Sequence, residues 1–289
     1  MNPFQKIVFY LKVSRPGLWF ATIWLYLLPV GQMEQIWQQP VFWLGLFYVC
    51  FPLNFLVYGW NDWADQEIDQ LNPRKGNFLF GAKGTAQQLK GIAWAIGLVQ
   101  LLLYPVFVWL AGPKMLLLLL GLLLINAVYN WPERGLRTRP PFELICQFGY
   151  LLVVPFSMWL NNAPELSWYT YLYLSLFAMQ SHLMGEVMDV HPDKAGGRRT
   201  TATEIGIKKT KLLIIFIVMA EVSLLFFVFQ DSIFGGMLLL GLLWLLLDLF
   251  LIFKTQRYTL AQMKLFGYGS NGVAFLSMAY VWYSGCLLI

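Results

Sequence analysis

Long apolar runs recur through this sequence and limit what it can fold into. Nine stretches, at about 16–33, 40–60, 87–110, 113–130, 142–160, 166–187, 210–230, 233–253 and 266–288, carry almost no charge. Each is long enough to cross about 30 Å of hydrocarbon as a helix. Inside a bilayer the backbone must satisfy its own hydrogen bonds, which leaves helices or a closed barrel, and runs of this length specify helices. The expectation is an all-α integral membrane protein, a nine-helix bundle forming one domain over residues 1–289. A hydrophobic fraction of 58% with 12% charged residues agrees.

The charges orient the bundle. Nineteen of the twenty Lys and Arg residues fall in segments that nine crossings place on one side; Lys114 alone falls on the other. Basic loops stay in the cytoplasm, so the N-terminus reads as cytoplasmic and the C-terminus as outside, in a multi-pass cell-membrane protein. The net charge of +5 follows from this topology and calls for no nucleic-acid partner. Residues 1–15 lack the pattern of a cleavable signal. Instead Phe4, Ile7, Val8 and Leu11 form an apolar stripe with Lys6 and Lys12 off it, as in an interfacial helix. Cys50, Cys146 and Cys286 lie inside apolar runs without metal-ligand spacing and read as packing residues.

Two acidic clusters interrupt this pattern. Residues 61–69, after the second run, hold Asn61, Asp62, Asp65, Glu67 and Asp69. Asn61, Asp65 and Asp69 are four apart, so on a helix their side chains converge. Residues 185–194, after the sixth run, hold Glu186, Asp189 and Asp193. Seven of the chain's fifteen acids sit in these two stretches. Four crossings separate them, so they share an orientation, as in a parallel duplication and unlike the inverted repeats of many transporters. Facing carboxylate clusters repel unless cations lie between them, and a Mg²⁺-bound diphosphate is the simplest such partner. The plainer alternative for the first cluster is a solvated helix start with acids at its positive end.

Other residues could complete such a site. The segments 61–86 and 188–209 exceed tight turns and are rich in Gly and basic residues, as a cap over the site requires. Between the fourth and fifth runs, Arg134, Arg137 and Arg139 could fork onto phosphate oxygens, Arg137 being the better candidate; topological anchoring is the plainer reading. His182 and His191 flank the second cluster, but a carboxylate-rich Mg²⁺ site needs no imidazole. Glu221 and Asp248 fall near the middle of the seventh and eighth runs, where an ionisable group usually faces the bundle interior. Each reads as a hydrogen-bonding group between helices or, less simply, as a proton acceptor.

The pairing of N-D-W-A-D-Q-E-I-D at 61–69 with D-V-H-P-D-K-A-G-G-R-R-T-T at 189–201 resembles the UbiA superfamily of membrane-embedded prenyltransferases. Asn61, Asp65 and Asp69 match its N-x-x-x-D-x-x-x-D, and Asp189 with Asp193 its D-x-x-x-D. Tyr129, Pro132 and Arg137 are similar to its Tyr-x-x-Pro and basic element, and Ser14-Arg15-Pro16 to its usual opening. The resemblance implies a UbiA-like nine-helix bundle with a cytoplasmic cap over a cavity open to lipid. It implies Mg²⁺ held by Asn61, Asp65, Asp69, Asp189 and Asp193, the four Asp being catalytic. Arg15, Arg74, Lys75, Tyr129, Arg137, Lys194 and Arg198 become the residues expected on the diphosphate. The sequences N-P-R-K-G at 72–76 and H-L-M-G-E-V-M-D at 182–189 look most like the carotenoid-modifying branch, the lycopene elongases. One departure stands out. Some relatives carry a further acid four residues before Asp189, where this chain has Gly185; either Glu186 substitutes from the neighbouring position or the site holds its second metal with fewer ligands.

The resulting expectation is transfer of an isoprenyl group from an allylic diphosphate to a hydrophobic acceptor. No basic residue is expected deep in a span, so an acidic acceptor such as a hydroxybenzoate would lie unpaired, and a carotenoid fits better. An aromatic content of 17% suits an apolar substrate and a carbocation. The alternatives are an aromatic, quinone-precursor or lipid acceptor, a cyclase of the same architecture, and a protein that only binds or moves diphosphate lipids.

Overall fold

The computed structural model describes residues 2–132 and 135–288. No strand occurs among them, only an isolated bridge between Asn77 and Gly81. Arg134 lies outside the described residues. The helices, in order, are α1 (Pro3–Val13), α2 (Phe20–Leu27), α3 (Pro40–Cys50), α4 (Pro52–Ala64), α5 (Gln66–Leu71), α6 (Ala86–Leu89), α7 (Ile92–Ala111), α8 (Lys114–Asn130), α9 (Phe142–Cys146), α10 (Val153–Asn161), α11 (Trp168–Ala195), α12 (Thr201–Phe227), α13 (Ser232–Leu247) and α14 (Leu260–Ser284).

Local chemistry explains many of the boundaries. Asn2 and Gln5 form a capping box that starts α1, with Pro3 in the first turn. The helix turns Phe9 and Val13 inward and leaves Phe4 and Ile7 outside, as an interfacial helix should. The run at 16–33 is interrupted, with short 3₁₀ turns at Pro16–Leu18 and Leu28–Val30 flanking α2. Pro52 cannot donate to the helix before it, so the second run divides into α3 and α4. Five helical segments are long and apolar enough to cross a membrane: Pro40–Ala64, Ala86–Ala111, Phe142–Asn161, Thr201–Phe227 and Ser232–Ile252. Phe20–Val30 and Lys114–Asn130 are apolar but shorter. The 28 residues of α11 and the 25 of α14 are long enough but less apolar. Large apolar side chains such as Trp94, Trp109, Leu117, Phe227 and Phe275 stand outside, a surface suited to lipid.

Two features depart from the sequence expectation. The second acidic motif is not in a long connection. Here α11 runs on through Pro192 to Ala195, which puts Asp189 and Asp193 on its last turns, and only residues 196–200 precede α12. The first motif does not ride one continuous helix, because the backbone breaks at Asp65 (φ −107°, ψ 17°) between α4 and α5. Residues 72–85 are irregular and form the cover over the site. Asn77 holds them: its side-chain oxygen accepts from the N–H groups of Leu79 and Phe80, and its amide donates to the Arg74 carbonyl. The N–H of Gly17 donates to the Phe78 carbonyl, tying this cover to the start of α2. Leu79 and Phe80 pack into a core with α11 and α12, while α2, α3, α4, α7, α8 and α10 share a second core. The cover thus spans the junction of the two halves.

The deep charges also need correcting. Lys211 lies within α12, fully buried, so a basic residue does enter an apolar helix. Its Nζ is 2.6 Å from Asp248 and donates to the Lys254 carbonyl. Tyr258 donates to the same carboxylate at 2.8 Å. Asp248 is therefore part of a buried structural pair at the end of α13. Glu221 is completely buried in α12, and neither carboxyl oxygen meets a hydrogen-bond partner among the described residues.

Candidate functional site

The site lies where α4, α5, the cover, the end of α11 and the start of α12 meet. Asp69, Asp189 and Asp193 line one cavity of about 70 Å³, and Arg15, Arg74, Lys75 and Arg198 line it with them. The two motifs, more than a hundred residues apart in sequence, therefore do face a common space.

Cations stand between the carboxylates, as electrostatics requires. Asp65 accepts from Arg137 Nε at 2.7 Å, Arg198 at 3.0 Å and Asn61 at 2.9 Å. Asn61 is held in turn by Asn130. Lys75 bridges Asp62 at 2.5 Å and Asp69 at 2.8 Å. Arg15 donates to Asp62 at 2.7 Å and lays its guanidinium over the Tyr58 ring at 4.3 Å. Across the cavity, Asp189 accepts from Arg74 and from Asn72, so the cover is pinned to α11. Asp193 is buried and has no ion-pair partner among the described residues.

These surroundings set different acidities. Burial alone would raise Asp65, but the guanidinium charges of Arg198 and Arg137 hold it below the usual carboxylate range. Burial lifts Asp69 to about 6 against the opposing pull of Lys75. Asp193 is lifted to about 7, again by burial, partly offset by Arg198 and reinforced by Asp189 and Asp65.

Most residues singled out from sequence meet here. Asn61, Asp65, Asp69, Asp189, Asp193, Arg15, Arg74, Lys75 and Arg198 line or border the cavity. Arg137 is buried behind it, engaged with Asp65 and the Trp131 carbonyl. Tyr129 is half-buried and meets His182 edge-on at 6.5 Å instead of lining the cavity. Lys194 is exposed on the outer side of α11 and makes no part of the site. Glu186 does not replace the acid missing at Gly185. One of its oxygens accepts from the Ala202 N–H at 2.9 Å and the other faces His182, so it caps α12. Sequence reading passed over Asp62, which sits inside the motif but off its four-residue register, although it binds two cations. It also passed over Asn72, Asn130 and Glu143. The last accepts from the Thr201 N–H at 2.7 Å, and nothing in the local sequence signals that contact.

Among the described residues no three His, Cys or acid side chains gather as a ready-made metal cluster. The donor chemistry nonetheless fits Mg²⁺: only carboxylate and amide oxygens are offered, from two sides of one cavity.

Comparison with known proteins completes the picture. A sequence model described as the UbiA prenyltransferase family matches residues 18–282. A lycopene elongase/hydratase from Corynebacterium glutamicum is 28% identical over 210 residues, covering 70% of this chain and 71% of that protein. One from Haloferax volcanii is 25% identical over 218 residues, covering 71% and 68%. Among solved structures, a UbiA homologue from Archaeoglobus fulgidus bound to DMAPP and Mg²⁺ superposes with a TM-score of 0.69. It covers 96% of this chain and 99% of that one at 17% identity, a likeness of fold.

Proposed function

Since this chain belongs to the UbiA prenyltransferase family, we propose that it joins the isoprenyl group of a short allylic diphosphate to an apolar polyene of the carotenoid class. The observation that carries this reading is the single cavity in which both acidic motifs meet four cations under one cover. The names of the two relatives support a carotenoid acceptor, and the donor and metal bound by the solved homologue support a Mg²⁺–diphosphate pair.

The chemistry follows from charge. Diphosphate leaves poorly until its developing charge is neutralised. Mg²⁺, held by Asn61, Asp65, Asp69, Asp189 and Asp193, would act there as a Lewis acid on the leaving group. Arg15, Arg74, Lys75 and Arg198 line the same cavity and would bind phosphate oxygens there. Arg137 acts from behind by fixing the orientation of Asp65. The cover excludes water, so the allylic cation meets the π electrons of the acceptor before it meets solvent. The new C–C bond forms from those electrons, and a proton is then lost from the acceptor.

We read nine passages through the bilayer: the five long apolar segments, the two shorter ones, residues 168–187 of α11, and α14. An odd number places the termini on opposite sides, with the N-terminus and the cover cytoplasmic. Purified protein given Mg²⁺, a C5 allylic diphosphate and lycopene should release pyrophosphate and lengthen the polyene. Prenylation of 4-hydroxybenzoate but not lycopene would overturn the acceptor. A hydrocarbon formed from the diphosphate alone would instead identify a cyclase.

A further inference from the structure

Prenyl addition to an alkene leaves a carbocation, and none of the residues above disposes of the proton that must follow. One face of α11 offers a group that can. His182, Gly185, Asp189 and Asp193 recur at three- and four-residue spacing, which aligns them along the helix. Asp189 and Asp193 reach the diphosphate cavity. His182 lies seven residues earlier, about 10 Å further into the bundle at 1.5 Å per residue. Between them, a Cβ built on Gly185 meets nothing within 4 Å, so the helix face between the two is open at that position.

The histidine is also held for the task. Its Nε2 stands 3.2 Å from Glu186 Oε1, while Glu186 Oε2 is fixed by the Ala202 N–H at the start of α12. The Tyr129 ring meets the imidazole edge-on from α8. The side chain of His182 keeps 20% exposure, whereas that of Glu186 keeps 5%. A buried carboxylate, fixed at one oxygen, thus faces the imidazole with its other.

Building on the transferase reading above, we propose that His182 is the catalytic base that quenches the product cation, with Glu186 as its positioning residue and Gly185 as the open lane between the reacting centres. With Glu186 Oε1 facing the ring from 3.2 Å, the lone pair of an imidazole nitrogen takes the proton. The C–H bond next to the cationic carbon breaks and its electron pair becomes the new C=C. If water adds to the cation instead, the same lone pair takes the proton of that water and an alcohol results. The proton then passes to the departing pyrophosphate, so that allylic diphosphate and polyene yield prenylated polyene and protonated pyrophosphate.

The test compares wild type with His182→Gln, His182→Gly and Gly185→Leu, using lycopene and a C5 allylic diphosphate with Mg²⁺. Each His182 variant should lose about 10²-fold in kcat with little change in KM for the diphosphate. Its product should spread over several alkene isomers, and added imidazole should restore His182→Gly. The ratio of alcohol to alkene in the wild-type product tells which proton the base removes. Gly185→Leu should lower kcat/KM for the polyene at least about tenfold, while thermal stability holds because leucine is the better helix former. Wild-type rates and product pattern in His182→Gln, with no imidazole effect on His182→Gly, would overturn the proposal while leaving the transferase reading intact. A wild-type enzyme that prenylates no polyene overturns both.

Discussion

Asp65→Asn is the most informative single change to this site. Asp65 is buried to 1% side-chain exposure and accepts from Arg137 at 2.7 Å and Arg198 at 3.0 Å. Replacing it with Asn keeps the shape but leaves two buried guanidinium groups without their counter-charge. Removing one partner of a buried pair costs about 3–5 kcal/mol, mostly the desolvation of what remains. The protein should therefore unfold at clearly lower temperature in detergent. Pyrophosphate release should fall by about 10²–10³-fold as a transition-state stabiliser is lost. Adding Arg137→Gln to Asp65→Asn should recover part of the stability, because one stranded charge is removed, but none of the activity. The acid dependence follows as well. Asp65 is held below its ordinary range, so its contribution is complete above the unfolded carboxylate value. It is lost as pH falls through the lower folded value, and Asp65→Asn should erase that loss. Wild-type stability and turnover in Asp65→Asn would refute the pairing as a structural and catalytic element.

Two further outcomes are expected. Asp193 at about 7 and Asp69 at about 6 are raised, so in metal-free protein they favour folding below the ordinary carboxylate range and lose that contribution as pH climbs through 6–7. Mg²⁺ must displace those protons: calorimetry in buffers of different ionisation enthalpy should show proton release at pH 6.5, and Mg²⁺ affinity should rise from pH 5.5 to 7.5. At the buried pair of α12 and α13, Asp248→Asn or Lys211→Met alone should cost about 3–5 kcal/mol, and Lys211→Met with Asp248→Leu should approach wild-type stability. Pyrophosphate release per folded molecule should be unchanged in the double variant, which checks that Asp248 is no proton acceptor.

The acidic motifs were legible because carboxylates are conspicuous in so apolar a chain. Their spacing gave the donor set but not its partners. Which arginine reaches Asp65 depends on how α4 meets the segments carrying Arg137 and Arg198, and no local pattern encodes that. Hydropathy ended the sixth run at 187, where charges begin. Packing of α11 along α12, with Glu186 capping the latter, carries the helix to Ala195 instead. Lys211 was misjudged for a similar reason. It falls at the very start of the seventh run, and only Asp248, distant in sequence, supplies the charge that lets it stay buried.

On the proposed function, the partner assignments also explain why donor and metal would belong together. Asp62, Asp65, Asp69 and Asp189 are matched by Arg15, Lys75, Arg137, Arg198 and Arg74, with Asp193 as the fifth acid to five cations. With every acid ionised the site is neutral. A diphosphate entering alone would add several uncompensated negative charges in a cavity largely closed to water. A divalent cation entering alone would have to draw carboxylates away from arginine and lysine, leaving those cations stranded. On the proposed function, when both arrive the acids would turn to the metal and the freed guanidinium and ammonium groups to the phosphates, so each charge would exchange one partner for another. Each ligand therefore strengthens the other by the same factor, as linkage demands. On that reading, the site cations are spent on carboxylates only until the substrate replaces them.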